Sequence, residues 1–302
     1  MIKNIVKSLV ENIEIKKKEN IDLILSGGAF NVSYMLGVLF FLQELEEKQK
    51  IKINRISTCS ASSILGLLYL INKLDLFNEK IYDKVLESYK KNKIVFFDDK
   101  TLKEIKEIIK INLPDNICEI VNNRLIISYF DVNKCKKIVK KKYKNKDDII
   151  ESVIRSCYIP TITMREMLLD NRYMDGIMPY IIKKKRGINR LYVNMISKDK
   201  LEDMIVIKNN KTNMHRILEG LLDVHKFYLK RKETIMCKYI EKWSIMDKLV
   251  YKIMIIISYI ICLKCFLIKL IGNCKIIKYF KNRLLSEIVI GVRRICIEHY
   301  CM

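Results

Sequence analysis

Twice within its first 71 residues the chain runs from a short apolar strand through a turn of small residues into a helix. This repeat constrains the fold more than any other feature. Ile21-Asp22-Leu23-Ile24-Leu25 reads as a buried strand, Ser26-Gly27-Gly28-Ala29 as a tight turn, and the apolar spacing from Val32 to Glu47 predicts a helix. A second strand over Ile53–Ser57 leads into Thr58-Cys59-Ser60-Ala61-Ser62-Ser63 and a helix over Ile64–Ile71. Further strands are expected at Arg124–Phe130, Leu191–Ile196 and Met204–Ile207, and helices over Asp147–Cys157 and Met214–Arg231. The basic run Lys134–Lys146 reads as a solvated stretch with a helix inside it. Met167–Asp170 and Arg172–Met174 suggest a hairpin leading to Asp175-Gly176. Strands alternating with helices argue for an α/β domain with a mainly parallel sheet.

A chain of 302 residues can bury a full core without disulfides or metals. Half its residues are hydrophobic and 30% are charged, which excludes both a disordered tail and a multi-span membrane protein. The net charge of +23 comes from 45 Lys and 12 Arg against 34 acidic residues. Such a surface attracts anionic lipid or nucleic acid. Nucleic-acid readers use Arg with interleaved aromatics; no such cluster is present, so lipid is favoured and nucleic acid is not expected. The N-terminal stretch lacks the apolar core and small-residue cleavage site of an export signal. A cytoplasmic location with reduced thiols is therefore expected for the ten cysteines. Cys262-Leu-Lys-Cys265 has no second pair at zinc-like spacing, and neither a metal nor a cofactor is expected.

Both ends differ from the middle. Residues 2–13 place Ile2, Ile5, Val6, Leu9, Val10 and Ile13 at helical spacing, an amphipathic helix that docks on the domain or touches a membrane surface. Residues 226–302 hold 16 basic residues against 5 acidic ones. Within them Ile253–Leu263 would make a helix about 16 Å long, short of the hydrocarbon core of about 30 Å. Extension to Ile271 reaches spanning length but admits Lys264 and Lys269. Lys252, Lys264 and Lys269 point in different directions around the helix, which argues against a helix lying flat in the interface. Three units are expected: 1–19 as an N-terminal amphipathic helix, 20–235 as the α/β domain, and 236–302 as a basic, apolar, membrane-associating helical extension.

Ser60 lies between a predicted strand and a predicted helix, flanked by Thr58, Ala61 and Ser62. This is the layout of a nucleophile elbow, in which a strained turn lifts a hydroxyl clear of its neighbours. Gly27-Gly28-Ala29, between a strand and a helix, can turn consecutive N–H groups outward to hold a phosphate or a developing oxyanion. No Gly-Lys-Ser/Thr follows and G-x-G-x-x-G is absent, so neither a Walker loop nor a dinucleotide fingerprint is present. Read singly, each element is also an ordinary structural turn.

In order along the chain, four segments resemble the patatin-like phospholipase family. They are Ile24–Ala29 with Tyr34–Leu39, Ser57–Ser62, Ser156-Cys157-Tyr158-Ile159-Pro160, and Tyr173-Met174-Asp175-Gly176. The resemblance covers about residues 20–210. It implies a three-layer α/β/α hydrolase of lipid acyl esters, phospholipase A in type, working through a Ser-Asp dyad and an acyl-enzyme. Ser60 would be the nucleophile, Asp175 its base, and Gly27, Gly28 and Ala29 the oxyanion hole. The implied partners are a phospholipid or other acyl-ester substrate and an anionic membrane surface, with the protein peripheral to or anchored in that membrane. The chain departs from the family at Ala29, which replaces the third loop glycine, and at Asn31, which replaces a basic residue but can serve as a further loop donor. It departs again at Thr58 and Ser62, which replace the elbow glycines. These changes leave an inactive membrane-binding or scaffold relative as the alternative. In chain order a triad using His215 or His225 is also open.

Overall fold

The computed structural model describes residues 2–92, 98–164, 166–196, 204 and 213–272. Most of the strand expected at Met204–Ile207 lies outside the described residues, as do His299, Cys274, Cys296 and Cys301. The strands are β1 (Glu19–Leu25), β2 (Ile51–Cys59), β3 (Leu125–Asp131), β4 (Lys136–Lys140), β5 (Tyr173–Asp175), β6 (Asn189–Val193) and β7 (Cys237–Tyr239). The helices are α1 (Ile2–Glu11), α2 (Val32–Glu47), α3 (Ser62–Leu70), α4 (Tyr82–Asn92), α5 (Asp99–Asn112), α6 (Ile117–Val121), α7 (Lys146–Ser156), α8 (Asn213–Lys230) and α9 (Ile245–Gly272).

These strands form one sheet in the order β4-β3-β2-β1-β6-β7, with β5 also on β3. The four central strands are parallel. The flanking strands β4, β5 and β7 are antiparallel to their neighbours. Alternation along the strands divides the core into two layers. Leu23, Leu25, Ile127, Tyr129, Leu191 and Val193 face one layer, built from α1 to α8. Ile24, Ile126 and Tyr192 face the other, meeting Ile182, Ile240 and Trp243. Farther along that second face Phe130 and Met174 meet Cys262 and Cys265 of α9. The result is the three-layer α/β/α architecture with a C-terminal helix.

The N-terminal helix docks on the domain, with Val6 and Val10 buried. On the helical side α8 crosses α2 so closely that a Cβ on Gly37 would fall 1.9 Å from Ile217 O.

Three sequence readings need correction. The run Lys134–Lys146 holds no helix before α7. It contributes β4, an edge strand in which Lys137 pairs with Phe130 and Ile138 packs into the core. Lysines along a sheet edge discourage pairing with other chains, and here they mask a five-residue alternation. The expected hairpin shrinks to the single bridge Leu169↔Tyr173, because β5 pairs with β3 instead. Finally, β7 lies past residue 235 and completes the sheet beside β6.

Candidate active site

Ser60 follows β2 directly, with φ 57°. A non-glycine residue in this left-handed region is strained unless its surroundings enforce it. The enforcement is a set of hydrogen bonds from three segments. The Ser60 N–H donates to Ser156 Oγ at 3.0 Å, and Ser156 Oγ donates onward to Ser128 O at 2.7 Å. Ser63 Oγ also donates to Ser156 Oγ at 3.0 Å, so this hydroxyl uses one donor and two acceptor sites. The Cys157 thiol donates to Ser60 O at 3.1 Å. Ser156 and Cys157 therefore support the elbow; their segment stood out in the sequence as one of four motifs, but its role as a prop is set by the fold.

The replaced elbow glycines are accommodated locally. Thr58 fits because α3 carries Gly66 opposite it, where a Cβ would lie 2.6 Å from Thr58 Cγ2. Ser62 turns its hydroxyl inward, accepting from Cys59 N–H at 3.1 Å within reach of Cys59 O at 2.6 Å and Leu25 O at 3.1 Å.

The glycine loop presses on the same turn. A Cβ on Gly27 would lie 2.9 Å from Ser60 Cβ, closer than real Cβ atoms approach. Among the described residues, the N–H groups of Gly28 and Ala29 donate no backbone hydrogen bond, while the Gly27 N–H is turned toward the Cys59 thiol. Ser26 Oγ anchors the loop by accepting from Met195 N–H at 2.7 Å. Asn31, read from the sequence as a further loop donor, is fully buried and donates Nδ2 to Met195 O at 3.0 Å. That bond ties the loop to the segment after β6, so the side chain serves as an anchor.

Asp175 ends β5, with its N–H donating to Tyr158 O at 2.7 Å. Its Oδ1 accepts from Ile177 N–H at 2.6 Å, while Oδ2 is buried without a well-aligned partner. Gly176 must be glycine because a Cβ there would lie 2.2 Å from Ser128 O. Burial pushes the Asp175 carboxyl up to about 6; the Ser60 hydroxyl, the Ile177 amide and the Lys137 charge each pull it partway back. Ser60 and Asp175, 115 positions apart, are thus brought together, and the carboxyl is set near the range where it can exchange protons.

Cys59 does not compete with Ser60. It is fully buried, its thiol donates to Ile177 O at 3.4 Å, and burial pushes its pKa far above the ordinary thiol range. The two described histidines make their contacts elsewhere: His215 pairs with Glu219, and His225 lies edge-on to Phe41. An apolar cleft opens onto Ser60, lined by Ala29, Phe30, Phe77, Ile81, Tyr82 and Ile159 among others. Its chemistry suits a hydrocarbon chain.

Fold and elbow together define the class, a three-layer α/β/α protein carrying a serine at a strained strand-to-helix turn beside a glycine loop. The family model for patatin-like phospholipases matches residues 23–178, just over half the chain. The chain belongs to the patatin-like phospholipase family, a family of lipid hydrolases acting on lipid esters. No curated protein matches it.

Proposed function

We propose that the protein is a phospholipase A-type acyl hydrolase working through a Ser60–Asp175 dyad. The observation that carries this reading is the pairing of a serine in an enforced left-handed turn with a buried carboxyl whose pKa is raised to about 6. Ser60 Oγ attacks the ester carbonyl carbon while Asp175 accepts its proton. The tetrahedral oxyanion is held by the N–H groups of Gly27, Gly28 and Ala29; one such donor is typically worth roughly 3–4 kcal/mol. Collapse expels the alcohol, which takes the proton from Asp175, and leaves an acyl-Ser60 ester. Water then attacks that ester with Asp175 again as base, releasing the fatty acid and restoring the hydroxyl.

The acyl chain lies in the apolar cleft. Residues 20 to about 243 form the hydrolase unit, because β7 and Trp243 belong to its sheet and core. The segment beyond is an extension that holds the protein to an anionic membrane, peripherally rather than by spanning. What supports this is the two-sided burial of α9. Tyr251, Ser258, Cys262, Cys265 and Lys269 turn toward the domain, whereas Ile253, Ile256, Ile260, Leu263 and Leu267 on the opposite side are each 45% or more exposed.

Purified protein incubated with phospholipid labelled in its acyl chain should release labelled fatty acid. Ser60→Ala and Asp175→Asn should each lower that release by roughly a thousandfold or more. Release unchanged in Ser60→Ala would refute the dyad, and no release from the unaltered protein would favour a non-catalytic relative.

A further inference from the structure

A lysine side chain sits inside the sheet face beneath the candidate base. Lys137 belongs to edge strand β4, but its position opposite Phe130 turns it onto the face covered by α9, where it is half-buried. Its Nζ donates to Met178 O and lies 6.0 Å from the centre of the Phe130 ring. Met178 belongs to the turn that follows Asp175. Within that turn Ile177 N–H donates to Asp175 Oδ1, and Met178 N–H donates to Gly176 O at 2.6 Å. Ile177 itself has φ 58°, a left-handed conformation unfavourable for a β-branched residue, so the turn must be held from outside.

Burying an ammonium is expensive unless its position is useful or well paired. Among the described residues Lys137 makes no ion pair with a carboxylate, and its hydrogen bond goes to a neutral carbonyl. Burial accordingly lowers its pKa, and the charge of Asp175 acts in the opposite direction. The other titratable groups around Asp175 carry no charge that could replace it. The thiols of Cys59 and Cys157 are both held protonated by burial, and Ser60 contributes a hydroxyl. From α9, Tyr251 presents a phenol that donates to Pro179 O.

Resting on the dyad reading, we propose that Lys137 is a positioning residue for the base: its ammonium clamps the 176–178 turn and supplies the positive charge that favours the Asp175 carboxylate. The residue touches neither substrate nor the reacting atoms, and it acts through Asp175 alone.

The test is the pH dependence of kcat/KM on a soluble short-chain ester, with full-length protein. The profile of the unaltered protein should rise through about pH 6 as Asp175 ionises. Lys137→Met removes charge and clamp, whereas Lys137→Gln keeps a donor for Met178 O without the charge. Both should move the acidic limb upward by roughly half a unit, about a threefold loss below pH 6 with little change at pH 8. Lys137→Arg should keep the limb where it is. Should Lys137→Met fail to fold, the Gln variant carries the same test of charge. Variants whose rates fall equally at every pH, or whose limb does not move, overturn the inference. Asp175→Asn separates the two readings: full activity in that variant means the base is misassigned, whereas its inactivity together with an unmoved limb in Lys137→Gln overturns only the role of Lys137.

Discussion

Asp175 illustrates how a useful group is kept at a cost to stability. Its carboxyl titrates near 6 in the folded protein and near 3.9 in an unfolded chain. Between those values the folded state binds the additional proton, so this group's contribution to stability is greatest below about pH 4 and falls as pH rises through 6. The loss is up to about 3 kcal/mol. Asp175→Asn should therefore melt at a higher temperature than the unaltered protein at pH 8 and nearly the same at pH 4, while being inactive. Thermal melts at the two pH values check this, and an equal difference at both would contradict the burial argument. The elbow supplies a second case. Gly66→Ala should destabilise by about 1–3 kcal/mol, because the new methyl meets Thr58 Cγ2. Thr58→Ser removes that methyl group and should recover most of the loss, which urea melts of the two single variants and the double variant would measure. The motif serines were legible in the sequence, but Ser156 as prop and Gly66 as relief were not. Their roles depend on contacts across α7, β3 and α3 that no local pattern encodes.

Among the helices, α9 is the one whose packing the sequence described least well. The spacing of Lys252, Lys264 and Lys269 around the helix gives no single polar face. In the fold Lys269 turns toward the domain surface, donating to Asn171 O at 2.7 Å and to Asn133 Oδ1. The helix thus has one stripe for the domain and, turned away from it, a mainly apolar side that also carries the exposed Lys252 and Lys264. Ile256→Asn with Ile260→Asn changes two residues that are each 59% exposed. The pair should leave the fold and short-chain ester hydrolysis intact but weaken binding to anionic vesicles by at least about tenfold, since each isoleucine withdrawn from lipid forfeits roughly 1.5–3 kcal/mol. Vesicle co-sedimentation reads this directly. Unchanged binding would mean that the outer face of α9 does not meet lipid. The helices α2, α3, α7 and α8 were legible because long apolar periodicity is a strong local signal. The strands β4 and β7 were not: one is masked by lysines, and the other is three residues long.

For the molecule as a whole, the +23 net charge sets how it meets its surroundings. Long-range attraction to anionic lipid fades once the Debye length shrinks to about 3 Å at 1 M salt, whereas apolar contact does not. Vesicle binding should therefore weaken between 0.1 and 1 M salt yet leave a residual fraction that the α9 double variant lacks. Complete release by salt would assign the association to charge alone. The sequence by itself determined the α/β class, the order of the four motifs and the chemistry available at Ser60 and Asp175, since strand and helix periods and small-residue turns are local properties of the chain. Only the tertiary structure decided what those residues can do together. It set Asp175 in a dry pocket near Ser60, turned Asn31 from loop donor to anchor, directed Lys137 inward from an edge strand, and gave α9 two unlike faces. Each of these depends on burial and on contacts between distant segments, which arise when the sheet closes and its two faces are covered.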